Sequence, residues 1–180
     1  MANRVLLLGL DATDPPSEYE PPDGLLGANY SVPILWLSLF SAADLVQWPS
    51  ALDPTTYTAL IGPRELCRAR SRDRLSQWVA RWPELGTIAN LWLELIRTAS
   101  CAFLGVWTEE ISDMSGDDDW AATLRSYLGG LDDLDSADFR EALAQSYLGV
   151  DASGHLSPTE EGSLGLLAGG YAWSHPAPWD

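Results

Sequence analysis

A chain of 180 residues with 46% hydrophobic residues and nine tryptophans has the material for one folded domain with a sizeable core, which excludes a disordered tail. Its 26 acidic residues face ten basic ones, all arginine, for a formal charge of -16. Phosphate-loop, Schiff-base and nuclease lysines are therefore excluded, phosphate backbones and anionic membrane surfaces are repelled, and cationic partners are favoured.

In chain order, MANRVLLLGLDATD carries one positive charge and an apolar run that stops at Asp11 without a small-residue cleavage site. It is too short to span a membrane and poor as a secretion signal, so a cytoplasmic protein is expected. Residues 4 to 10, RVLLLGL, form a continuous apolar run that predicts a buried strand. The next stretch, DATDPPSEYEPPDG, holds four prolines and five acids in fourteen residues, which excludes helix and inner strand. Residues 11–29 are expected as a long exposed loop.

SVPILWLSLFSA then predicts a buried helix, with Ser31 as cap and Pro33 in the first turn. YTALIG, residues 57 to 62, predicts a second strand. In the arginine-rich stretch that follows, Leu75, Trp78, Val79 and Trp82 recur at helical spacing, and Ile88, Leu91, Trp92 and Leu95 do the same over 86–98. CAFLGVW, residues 101 to 107, predicts a third strand, ended by Thr108, Glu109 and Glu110.

The rest predicts helices over 119–128, 137–148 and 158–168. The last is marked by the capping box Ser157-Pro158-Thr159-Glu160 and stopped by Gly169-Gly170. Residues 171–180 are expected as a tail. The sum is a single α+β domain over 1–180: a small mixed sheet of about three strands, about six helices and a helix-rich C-terminal half.

Motifs for chemistry are sparse. DMSGDDDWAATL fails as a calcium loop because its twelfth residue is Leu124, and DASGHLSPTEEG fails with glycine at its fourth position. His155 and His175 are isolated, Cys67 and Cys101 stand in no C-x-x-C arrangement, and no G-x-S-x-G elbow or phosphate loop is present. Asn29-Tyr30-Ser31 matches a glycosylation sequon, a chance match in a cytosolic protein. No catalytic residue, cofactor or metal is expected. The enzymatic alternative is a hydrolase using Glu109 with Glu110 or Asp113, just after the third strand.

The strongest feature is charge. Between residues 108 and 151 twelve acids stand against Arg125 and Arg140, at a cost in self-repulsion that a cationic partner or simple solubility would explain. Asp117, Asp118 and Asp119 read either as a helix start, one of them capping it, or as part of a partner-facing surface with Trp120 as anchor and Asp132, Asp133 and Asp135 alongside. The arginines at 64, 68, 70, 72, 74 and 81 make a basic island suited to internal salt bridges or an interface rim, not to nucleic acid.

MANRVLLLGLD, NYSVPILWLSLFSA, YTALIG and LGVWTEEISDM together resemble a little-described bacterial family of single-domain proteins beginning Met-Ala-Asn-Arg, over about the first 115 residues. That resemblance implies no catalytic residues. By type, the chain also resembles the small acidic immunity proteins of bacterial toxin systems. That likeness implies binding and neutralisation of a basic toxin domain; a purely structural or regulatory domain is the other alternative.

Overall fold

The structure, a computed structural model, describes residues 4–15, 24–50, 54–146, 148–158 and 171–172. Its centre is an antiparallel sheet in the order β3-β4-β5-β1-β2-β8, formed by β1 (Arg4–Leu10), β2 (Gly24–Asn29), β3 (Leu45–Pro49), β4 (Thr56–Pro63), β5 (Phe103–Trp107) and the two-residue β8 (Tyr171–Ala172). A separate hairpin pairs β6 (Leu148–Val150) with β7 (Leu156–Pro158).

β1 reads as an unbroken apolar run because the sheet is buried on both faces. Val5 and Leu7 belong to the main core with Leu60, Leu104 and Val106. Leu6, Leu8 and Leu10 face the other way, into a second cluster with Trp48, Tyr57, Ala59, Ile61 and Trp107. Alternation places successive side chains on opposite faces, so a strand buried on both has no polar position to show.

The main core is filled by helices. α2 (Arg64–Arg81) and α3 (Gly86–Thr98) pack together and bury Cys67, Leu75, Trp78, Ile88, Trp92 and Ile96. α5 (Asp117–Gly130) and α6 (Ala137–Ala144) form a second pair, which adds Leu124, Tyr127, Leu128 and Phe139. Phe139 stacks on Trp82 with ring centroids 5.7 Å apart and meets Trp78 edge-on at 5.4 Å, joining the two helix pairs. Burial pushes the Cys67 thiol up to about 12, with the nearby Asp44 carboxylate adding to the effect.

Several expectations are corrected. The sheet is antiparallel in every described pairing, not mixed, and three strands undercount it. β2 lies inside the expected 11–29 loop, of which residues 11–14 are exposed bends and 16–23 lie outside the described residues. β3 ends in Pro49 at the sheet's edge, where a missing N–H is tolerated. In place of a helix over 31–42 there is only α1 (Ile34–Leu37), followed by hydrogen-bonded turns and a 3-10 turn at Ala42–Asp44.

Ser31 does not cap α1: its hydroxyl donates to the Gln145 carbonyl, and the Ser146 hydroxyl accepts from the Ile34 amide. α4 (Glu109–Ser115) follows β5 where no helix was expected. The segment 137–148 splits into α6 and the start of β6. Ser157 and Pro158 belong to β7 instead of opening a helix, and 159–168 lies outside the described residues. So does the expected tail, apart from the two residues of β8.

Candidate functional site

Glycine, not aspartate, starts α5. Gly116 is its N-cap residue with φ 79°, a backbone conformation that side chains with a Cβ rarely adopt. Asp117, Asp118 and Asp119 therefore occupy the first turn, where carboxylates complement the helix dipole. Asp119 is exposed. Trp120 turns inward: it is 7% exposed and belongs to the main core, so it offers no surface anchor.

The second acidic group lies beyond the other end of α5, in the turn 131–136. The Asp133 amide donates to the Gly130 carbonyl, the Ser136 amide to the Asp133 carbonyl, and the Asp135 amide to the Asp133 side chain at 3.1 Å. Ser136 then caps α6 by accepting from the Phe139 amide. Gly130 permits this tight return, since a Cβ there would lie 2.6 Å from the Asp138 Cβ and 2.7 Å from the Phe139 nitrogen.

Asp132 is held from within the fold. Arg74, on the buried stripe of α2 and only 5% exposed, donates from Nε and a terminal nitrogen to its two carboxylate oxygens at 2.8 and 3.0 Å. The other terminal nitrogen of Arg74 donates to the Ser38 and Phe40 carbonyls at 3.2 and 2.6 Å. Its guanidinium keeps the Asp132 carboxyl below the usual carboxylate range.

The seven residues singled out from the sequence are thus not brought into one site. The fourteen residues of α5 separate the 117–119 acids from the 132–135 acids by about 20 Å at 1.5 Å per residue. What the structure groups instead is an acidic turn and helix, with Asp133, Asp135 and Glu141 exposed on 131–144, and a separate acidic helix start.

Five of the six arginines of the island are ion-paired within the chain, Arg81 being the exception among the described residues. Arg70 bridges to Asp44 at 2.7 Å, Arg74 to Asp132, Arg64 and Arg68 to Glu65, and Arg72 to Asp73. By contrast Asp119, Asp133, Asp135 and Glu141 make no ion pair among the described residues.

Each carboxylate of the adjacent pair at the end of β5 has its own structural task. Glu109 is 1% exposed and accepts from the Ser50 hydroxyl. Beside it, burial drives the Tyr57 phenol well above its ordinary range; the Glu109 charge adds to this, and a hydrogen bond with the Trp107 side chain opposes it. Glu110 is bound by Arg4, through the backbone nitrogen at 2.6 Å and the guanidinium at 3.1 and 3.3 Å, which fixes α4 to β1. Asp113 lies farther along α4 and is exposed.

His155 is exposed in the β6–β7 turn, where its Nδ1 is 3.0 Å from the Ser153 hydroxyl and Ser153 donates to Asp151 at 2.6 Å. The serine stands between the other two groups, whereas an activated serine needs the imidazole in the middle. His175 lies outside the described residues. Among the described residues no three metal-ligating side chains are grouped, and no helix is long and apolar enough to cross a membrane. No known protein family, curated protein or solved structure matches the chain.

Proposed function

We propose that this protein is an acidic binding module that captures a cationic protein, most concretely in the manner of an immunity protein neutralising a basic toxin domain. One observation carries the reading: the two inward arginines of α2, Arg70 and Arg74, are matched by acids of the same chain, while Asp119, Asp133, Asp135 and Glu141 are exposed and make no ion pair among the described residues. Acids left facing water in a chain of charge -16 repel one another, and a cationic partner relieves that repulsion while being steered by it. Asp132 contributes by holding the turn in place through Arg74, and Trp120 by packing the base of α5.

The test is co-expression with the product of the neighbouring gene, isolation of a complex, and measurement of association rates across salt. A variant with asparagine at 119, 133 and 135 and Glu141→Gln should associate about tenfold more slowly and lose most of its salt dependence. A complex whose association rate is unchanged in this variant, or the absence of any complex, would overturn the reading.

A further inference from the structure

Arg81, the last residue of α2, lines a cleft of about 440 Å³ with Pro83, Glu84, Ser153, Gly154 and His155. Neither Arg81 nor Glu84 makes an ion pair among the described residues, although they stand three positions apart on the same cleft. A guanidinium and a carboxylate thus share one opening without bridging. Both are exposed.

The cleft forms where two elements are bonded together. The Trp82 indole nitrogen donates to the Gly154 carbonyl at 3.0 Å, and Oε1 of Glu84 accepts from the Leu156 amide at 3.3 Å, so the β6–β7 turn is held against the end of α2. The turn is also tied within itself: Oδ1 of Asp151 accepts from the Ser153 and His155 amides at 2.8 and 3.0 Å and from the Ser153 hydroxyl at 2.6 Å.

This network sets the roles of the His155 ring. A carboxylate only accepts, so the single Ser153 hydroxyl proton goes to Asp151, and the His155 Nδ1, 3.0 Å away, is the donor to the Ser153 oxygen. In the neutral ring Nε2 is then an acceptor.

We propose that this cleft binds a small zwitterion, a free α-amino acid, with its carboxylate on Arg81 and its ammonium on the second Glu84 oxygen and the His155 Nε2. A guanidinium meets a carboxylate through two parallel N–H bonds, and an ammonium needs acceptors alone. Charge excludes the other small ligands. A phosphate or a di-acid would meet Glu84 and a chain of charge -16, and a simple amine would meet Arg81, whereas a zwitterion brings no net charge. The volume lies in the range of small-ligand sites, about 300–1,000 Å³.

The probes are L-alanine, N-acetyl-L-alanine, which lacks the ammonium, and L-alaninamide, which lacks the carboxylate. Binding is read by NMR from the Trp82 indole N–H, which is bonded to the cleft at Gly154. L-alanine should shift this resonance saturably, with Kd in about the millimolar range, and each analogue should bind about tenfold more weakly, roughly the loss of one charge-assisted bond. Arg81→Gln should abolish binding of both carboxylates. Glu84→Gln, whose amide oxygen still accepts from the Leu156 amide, should make L-alanine and N-acetyl-L-alanine bind alike, and Arg72→Gln, elsewhere on α2, should change nothing.

No saturable shift with L-alanine in the millimolar range, equal affinity of the wild type for L-alanine and either analogue, or L-alanine binding that survives in Arg81→Gln of unchanged circular dichroism overturns the proposal. The partner-binding reading is untouched by any of these results, because it rests on other residues and on an association rate.

Discussion

Helix α2 and the α5–α6 pair handle charge in opposite ways. α2 carries six of the ten arginines, and its two inward ones, Arg70 and Arg74, reach acids far away in sequence. They join the 3-10 turn at 42–44, the carbonyls after α1 and the turn at 131–136 into one network. The α5–α6 pair has its apolar side in the core and leaves Asp119 and Glu141 facing water. Buried charges need partners because water has been removed from them, whereas exposed ones do not, and their effect then reaches outward. In this protein the inward arginines of α2 tie distant segments together, whereas Asp119, Asp133, Asp135 and Glu141 face solvent.

Four variants test that contrast. The largest effect belongs to Arg74→Met, which keeps the aliphatic stem but leaves the buried Ser38 and Phe40 carbonyls unpaired. At about 1–3 kcal/mol for each orphaned group, a loss on the order of 3 kcal/mol should appear in urea unfolding. If it lies within a few tenths, the arginines are ornamental and the contrast fails.

Gly130→Ala comes next, because the new methyl meets backbone and Cβ atoms of α6 at under 3 Å. A destabilisation of about 1–3 kcal/mol is the usual cost of such overpacking. Circular dichroism should show native helix content at reduced melting temperature.

Asp132→Asn should cost about 1 kcal/mol, no more, because its side chain is 64% exposed and solvent screens the pair. Its folded pKa lies below the unfolded one, so its contribution is complete above about pH 5 and is lost as pH falls through the folded value. Wild type and variant should therefore differ by a constant amount from neutral pH down to about pH 5, and converge in more acid solution.

The smallest effect should come from neutralising Asp119, Asp133, Asp135 and Glu141 together. Surface changes of this kind usually stay within about 0.5 kcal/mol each, and relief of repulsion tends to stabilise. A large loss of stability would mean that these acids serve the fold after all.

The parts of the fold legible in the sequence are those whose burial is settled locally. β1, β4 and β5 show as apolar runs, and α2, α3 and α5 by helical spacing, because each presents its whole core-facing pattern within its own length. β2 and β3 were missed: glycines interrupt one, proline ends the other, and neighbouring strands supply their stability. The apolar stretch at 31–42 misled because its middle is buried all round, and the Ser31 hydroxyl and Ile34 amide that would open a helix are bonded by Gln145 and Ser146, more than 110 positions away.

For the candidate site, the acidity was legible and the grouping was not, since only the fold sets where the two ends of α5 lie. Trp120 shares its spacing with Leu124, Tyr127 and Leu128, which already marks it as core. Arg74 was also readable: it falls on the same stripe as Cys67, Ser71 and Trp78, and a charge on a buried stripe implies a partner.

The strand order also bears on how the chain acquires its fold during synthesis. β1 is made first among the described strands yet lies between β2 and β5, and its register with β5 joins Leu6 to Trp107. Until residue 107 has left the ribosome, an unbroken apolar strand has one hydrogen-bonding edge open, the situation that invites pairing with the wrong chain. The proline- and acid-rich stretch emerging directly behind it places charge and strand-breaking residues next to that edge, the arrangement by which gatekeeper residues flank sticky strands.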